Sequence, residues 1–251
     1  MIENGKMREG NCMEFTDKQT RTLLKGKYKC YAHFYKMENI IFRSRLDIIS
    51  SSINFNQNSS IVKPDALFVM ANPGSAEPIG NIINAVIPSN GNIGICKKVF
   101  CSVDDSKDQT IWRIKELMHA KNWCRVSIIN LSDLQAGKDE DYKERLDEFH
   151  KSLSNIYLND IHSIFSRYRR DELVELIDSI GTAHVVFAWG LNNTPKKEFA
   201  RFCKEFFDKA KCSYIGVKKV NSKVGYNHPL ADEWVSNIQR VLLQLPLQAY
   251  K

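Results

Sequence analysis

Three polar stretches each close an apolar run of strand length: Asn72-Pro73-Gly74-Ser75 follows Ala66–Ala71, Asn130 ends Val126–Leu131, and Asn227-His228-Pro229-Leu230 follows Cys212–Val217. A fourth run, His184–Trp189, leads into Trp189-Gly190. The imidazole of His228 is the candidate to donate a hydrogen bond to a developing negative charge. Asn72 and Asn130 pair a donor with an acceptor and can orient a water or read a polar edge. A carboxamide has no pKa near neutrality, so neither can act as a strong general base. Lys196 and Lys197 follow Trp189-Gly190, and Lys218, Lys219 and Lys223 precede His228. Gathered at one rim they would neutralise phosphates, each contact adding about 0.9 to the salt slope of binding.

Those groups need a frame that brings distant segments together. The four apolar runs carry β-branched and aromatic residues with little alternation, as strands buried on both faces do. Helical patterns separate them. In Asp108–Asn122, Ile111, Ile114, Leu117 and Met118 form one stripe that Asp108 or Thr110 caps, and Asp108 is also a candidate substrate contact. Thr194–Ala210 opens with Thr194 as N-cap and Pro195 in the first turn, then spaces phenylalanines along one face. Asp139–Ser179 is helical with a break near Asn159 or Arg169, and Ala231–Leu245 is an amphipathic helix. Alternating strands and helices predict a three-layer α/β/α domain on a central four-stranded parallel sheet, with ligands beyond the carboxyl ends of the strands. Gly74–Asp105 is expected as a long functional loop. Residues 1–60 are expected as an N-terminal extension flanking the core, and 61–251 as the domain itself.

Composition narrows the classes. Of 251 residues 43% are hydrophobic and 26% charged, an ordinary globular balance. Lys and Arg number 36 against 29 Asp and Glu, a net charge of +7 that leans toward a polyanionic partner. The seven cysteines include no C-x-x-C pair, so neither a disulfide framework nor a zinc ribbon is indicated, and no metal or cofactor is expected. The first ten residues lack an apolar signal core and no run approaches 18 apolar residues, so the expectation is a cytoplasmic chain without membrane contact, favouring a monomer.

Taken in order, the strand ends resemble the uracil-DNA glycosylase superfamily. Met70-Ala71-Asn72-Pro73-Gly74 is similar to the first motif of its mismatch-specific branch, and His228-Pro229-Leu230 to the second motif. Ile128-Ile129-Asn130 looks like the strand whose terminal Asn reads the base edge, and Val186–Gly190 like the strand ending in W-G. The set more closely resembles a little-characterised bacterial family with N-P-S, D-x-T-I, N-L, A-W-G and H-P-L; here these are Asn72-Pro73-Gly74, Asp108-Gln109-Thr110-Ile111, Asn130-Leu131, Ala188-Trp189-Gly190 and His228-Pro229-Leu230. Met70 departs from the glycine common in the superfamily.

The resemblance implies a cofactor-free DNA glycosylase that flips a base out of duplex DNA and hydrolyses its N-glycosidic bond. Asn72 would orient the water, His228 would stabilise the departing base, and Ala71, Pro73, Gly74, Ser75, Asn130 and Asp108 would line the substrate pocket. Lys196, Lys218, Lys219 and Lys223 would hold phosphates, with Leu230 wedged into the gap left in the stack. Where the uracil-specific branch has a tyrosine that excludes 5-substituents, this chain has Gly74, so the resemblance implies room for a modified, 5-substituted pyrimidine such as a phage base, excised in anti-phage defence or base repair. Two alternatives remain: hydrolysis of free nucleosides or nucleotides, and a non-catalytic reader of modified nucleic acid.

Overall fold

The computed structural model describes residues 22–37, 40–53, 62–82, 98–153, 159–181, 183–190, 196–219, 222 and 224–243. The strands are β1 (Tyr28–Met37), β2 (Ile40–Ser50), β3 (Ala66–Met70), β4 (Glu77–Pro78), β5 (Val99–Asp104), β6 (Arg125–Asn130), β7 (His184–Phe187) and β8 (Tyr214–Ile215). They form one eight-stranded mixed sheet in the order β4-β5-β1-β2-β6-β3-β7-β8. The junctions from β4 through β1 and β2 to β6 are antiparallel. Those joining β6, β3, β7 and β8 are parallel.

The helices are α1 (Gln109–Lys121), α2 (Asp139–Ser152), α3 (Arg170–Ile180), α4 (Lys197–Lys209) and α5 (Trp234–Leu243), with a 3-10 turn at Arg167–Arg169. Every residue of β3 is buried, and its alternation divides two cores. Ala66, Phe68 and Met70 join Ile111, Ile114 and Leu117 of α1 with Trp234 and Ile238 of α5. Leu67 and Val69 join Leu173 of α3 with Phe199, Cys203 and Phe207 of α4. The two-residue period of a strand therefore places helices on both faces. A third core packs Tyr142, Leu146 and Phe149 of α2 against Tyr35 and Phe42 of β1 and β2. Each of these large apolar side chains contributes roughly 1.5–3 kcal/mol by leaving water.

Two expectations change. The sheet has eight strands rather than four, because residues placed in a flanking extension supply β1 and β2, and β2 pairs directly with β6. The segment 74–105 is not one loop, since β4 and β5 lie within it and β5 pairs with β1. Charge hid β2 from a reading of apolar runs. Asp47 is fully buried, its Oδ1 accepting from Arg125 Nη2 at 3.1 Å and Ser127 Oγ at 2.6 Å and its Oδ2 from Arg45 Nε at 3.0 Å. Thr194 and Pro195 lie outside the described residues, and α4 begins after Lys196. Among the described residues no helix is long and apolar enough to cross a membrane.

Candidate active site

A cavity of about 320 Å³ opens at the carboxyl ends of β3 and β6. Asn72, Gly74, Asp108, Asn130, Gly190 and His228, drawn from five segments, all line it. The chain reaches it through short ties: Leu131 N donates to Met70 O at 2.8 Å, Ser132 N to Ala71 O at 3.1 Å, and Gly190 N to Tyr226 O at 2.8 Å. These fix the ends of adjacent strands to one another, so residues far apart in sequence share one rim.

Asn72 is held on both sides of its carboxamide. Its Nδ2 donates to Ala136 O at 2.7 Å and to Pro73 O at 3.1 Å, while its Oδ1 accepts from Lys196 Nζ at 2.6 Å. Both donor hydrogens are engaged, which leaves the remaining lone pair of Oδ1 to orient a water. Lys196 is correspondingly not a phosphate contact. It is fully buried, lies 3.9 Å from the Tyr142 ring centroid, and also donates to Asp139 Oδ1 at 3.2 Å. Burial lowers its pKa, and the Asp139 carboxylate opposes that shift.

Gly190 shapes the position of His228. It has φ +65°, and a Cβ there would stand 2.8 Å from His228 Cβ, so only glycine permits both the backbone conformation and the approach. Leu230 N donates to His228 Nδ1 at 3.3 Å, so a neutral ring carries its proton on Nε2. Desolvation pulls the His228 pKa below its ordinary value, Asp108 and Asp139 pull it up, and Lys196 and Lys219 reinforce the lowering. The ring is therefore a neutral Nε2–H donor at neutral pH.

Asp108 caps α1 as the sequence suggests, its Oδ1 accepting from Thr110 N at 3.1 Å and Ile111 N at 3.2 Å. It also lines the cavity. A Cβ on Gly74 would lie 2.7 Å from Asp108 Oδ2, so the space that the missing side chain frees is occupied by a carboxylate oxygen. The expected room for bulk beside Gly74 is corrected accordingly.

Other expected contacts divide. Ala71 and Leu230 line the cavity, and Leu230 is 48% exposed at its mouth. Pro73 is buried and supports the turn, its carbonyl accepting from Ala136 N at 3.0 Å. Ser75 is exposed and faces a neighbouring hollow of about 770 Å³ instead. Lys218 is exposed, Lys219 donates to Gly190 O at 3.3 Å, and Lys223 lies outside the described residues. The structure adds Arg43, Lys138 and Asp139 to the lining, which the sequence reading passed over. Asp139 was legible only as part of an acidic first turn of a helix. Arg43 had no sequence signal, because its segment was not assigned to the core. Among the described residues no group of three His, Cys, Asp or Glu side chains could hold a metal ion. Compared with family models, curated proteins and solved structures, the chain matches none.

Proposed function

We propose that the protein is a DNA glycosylase that hydrolyses the N-glycosidic bond of a modified base flipped out of DNA. The observation that carries this reading is the convergence of Asn72, Asn130 and His228 on one cavity whose mouth holds the exposed Leu230. The parallel run β6-β3-β7-β8, with helices on both faces, supports a glycosylase-like architecture around it.

Cleavage develops positive charge on the sugar and negative charge on the departing base. His228 donates its Nε2–H toward a base carbonyl as that charge grows. Asn130 offers Nδ2 to the base edge. Asn72 Oδ1 accepts from the attacking water, and the carboxylate of Asp139, paired with Lys196, receives a water proton. Leu230 fills the stack vacated by the base, offsetting an unstacking penalty of a few kcal/mol. Lys218 and Lys219 contact the phosphates.

A second reading, hydrolysis of free nucleosides, is favoured by one observation. Glu77, Asp141 and Glu148 line the adjoining hollow, an unfavourable path for a phosphate backbone. The two readings separate on duplexes bearing single modified pyrimidines, incubated with the protein and then treated with alkali. Strand breaks that vanish in His228→Ala and Asn72→Ala, with folding intact by circular dichroism, support the DNA reading. Release of free base from nucleosides, without breaks in any duplex, replaces it with the second.

A further inference from the structure

Arg43 reaches the cavity through an irregularity in the sheet. The β1–β2 register pairs Ala32 with Leu46 and His33 with Arg45, then shifts, so that Phe34 faces Arg43 rather than Ser44. Residues opposite each other in an antiparallel pair share a face, and Ala32, Phe34 and Leu46 all belong to the core beneath α1. The extra residue, Ser44, therefore turns Arg43 onto the face it would otherwise point away from. There it is 3% exposed and lines the cavity, and its Nε and Nη1 find no hydrogen-bond partner among the described residues. Asn130, 1% exposed, has an Nδ2 in the same condition. Buried donors without acceptors are costly in a folded protein, and a guanidinium more than an amide. A ligand acceptor removes that penalty for both.

The cavity also holds one acceptor whose position is fixed. Asp108 Oδ1 is engaged by two helix amides, which orients the carboxylate and sets Oδ2 over Gly74. Building on the base-hydrolysis reading above, we propose that the cavity selects a nucleobase whose polar edge sets a carbonyl oxygen against Arg43 and Asn130 and a neutral hydroxyl or amine donor against Asp108. A purely alkyl substituent leaves the buried carboxylate unmet. A carboxylate substituent is repelled by it. Arg43 and Asp108 carry opposite charges, so a neutral ligand leaves the pair balanced. Gly74 thus gives its space to the reader of the substituent rather than to the substituent's bulk.

The test uses three duplexes that differ only in one uracil, bearing 5-hydroxymethyl, 5-methyl or 5-carboxyl, with affinity read by fluorescence anisotropy on the full chain. The hydroxymethyl duplex binds at least about tenfold tighter than the other two, the discrimination that one charge-assisted hydrogen bond brings. In Asp108→Asn the cap persists, because Asn caps helices as well as Asp, and the helix amides hold the carboxamide oxygen. Its Nδ2 then faces Gly74, and the ranking inverts in favour of the 5-carboxyl duplex. Arg43→Met weakens all three duplexes at least about tenfold without lowering the melting temperature, since an apolar chain of similar length replaces a buried guanidinium whose Nε and Nη1 have no hydrogen-bond partner. Equal affinity of the three duplexes for the native protein overturns the proposal, as does the native ranking surviving in Asp108→Asn, or unchanged binding by Arg43→Met. Alkali treatment of the same samples tests catalysis separately. A ranking without strand breaks keeps this recognition and removes the hydrolysis reading, whereas strand breaks without a ranking do the reverse.

Discussion

Lys196 Nζ lies 2.6 Å from Asn72 Oδ1, joining two residues 124 positions apart and converting an expected phosphate contact into part of the cavity wall. The ammonium shares its hydrogen bonds between Asn72 and Asp139 and sits against the face of Tyr142. A surface lysine would be mobile and hydrated. This one fixes the carboxamide proposed to orient the water.

Lys196→Met leaves Asn72 Oδ1 without its donor, an omission that costs about 1–3 kcal/mol at a buried site. The denaturant midpoint falls by a corresponding amount and turnover drops at least about tenfold. The salt dependence of duplex binding stays as it was, because no phosphate contact has been removed. Lys218→Ala behaves oppositely, lowering the salt slope by about 0.9 and leaving stability intact. Titration of affinity against salt checks both.

Asp139→Asn removes the carboxylate assigned to the water. That carboxylate is also the counter-charge of the buried Lys196, so the melting temperature falls as well, and activity is compared below that lowered midpoint. The rate of abasic-site formation falls by roughly 10²–10⁴, the range a positioned general base supplies. Single-turnover kinetics at saturating protein isolate that step from binding.

Gly190→Ala puts a methyl group 2.8 Å from His228 Cβ at φ +65°. The combination of strained backbone and overlap costs about 1–3 kcal/mol, and the imidazole must move. Both thermal stability and turnover decrease. Gly137→Ala, where a Cβ meets nothing within 4 Å, retains thermal stability and serves as the control in paired melting measurements.

Two histidines that resist protonation are expected to make stability fall in acid. Desolvation, reinforced by Arg45, lowers the His33 pKa from 6.5 to about 4, and desolvation, reinforced by His150, lowers that of His162 from 6.5 to about 3. Such a group binds its proton more readily unfolded than folded. Stability is therefore fully present above pH 6.5 and is lost as pH falls toward the folded values, by up to about 1.4 kcal/mol per pH unit per group. Urea denaturation between pH 7 and pH 4 measures the slope, and His33→Gln flattens it. Turnover follows a different course. In its proposed role His228 is a neutral donor with a lowered pKa, so the rate does not fall as pH rises from 7 to 8.

Much of the frame was legible because burial leaves a mark on composition. The apolar runs that became β3, β6 and β7 matched the structure closely, and the stripe Ile111, Ile114, Leu117 and Met118 became the buried face of α1. Such runs report the local need to leave water, and their ends report where polar groups can gather. β1 and β2 were expected only as part of a flanking extension, for the converse reason. Their buried Arg43, Ser44 and Asp47 read as surface residues until partners elsewhere, or a cavity, account for them.

The order of strands and turns along the chain by itself determined that Asn72, Asn130, Asp108 and His228 could meet, since hydrophobic periodicity fixes which segments are strands and their carboxyl ends become one edge. Only the tertiary structure decided what each group faces. Hydrogen-bond partners, desolvation and a one-residue bulge depend on atoms brought together across the chain. Those long-range contacts buried Lys196 beneath Asn72, set Asp108 over Gly74 and turned Arg43 inward, and none of them leaves a periodic trace in the residues that make them.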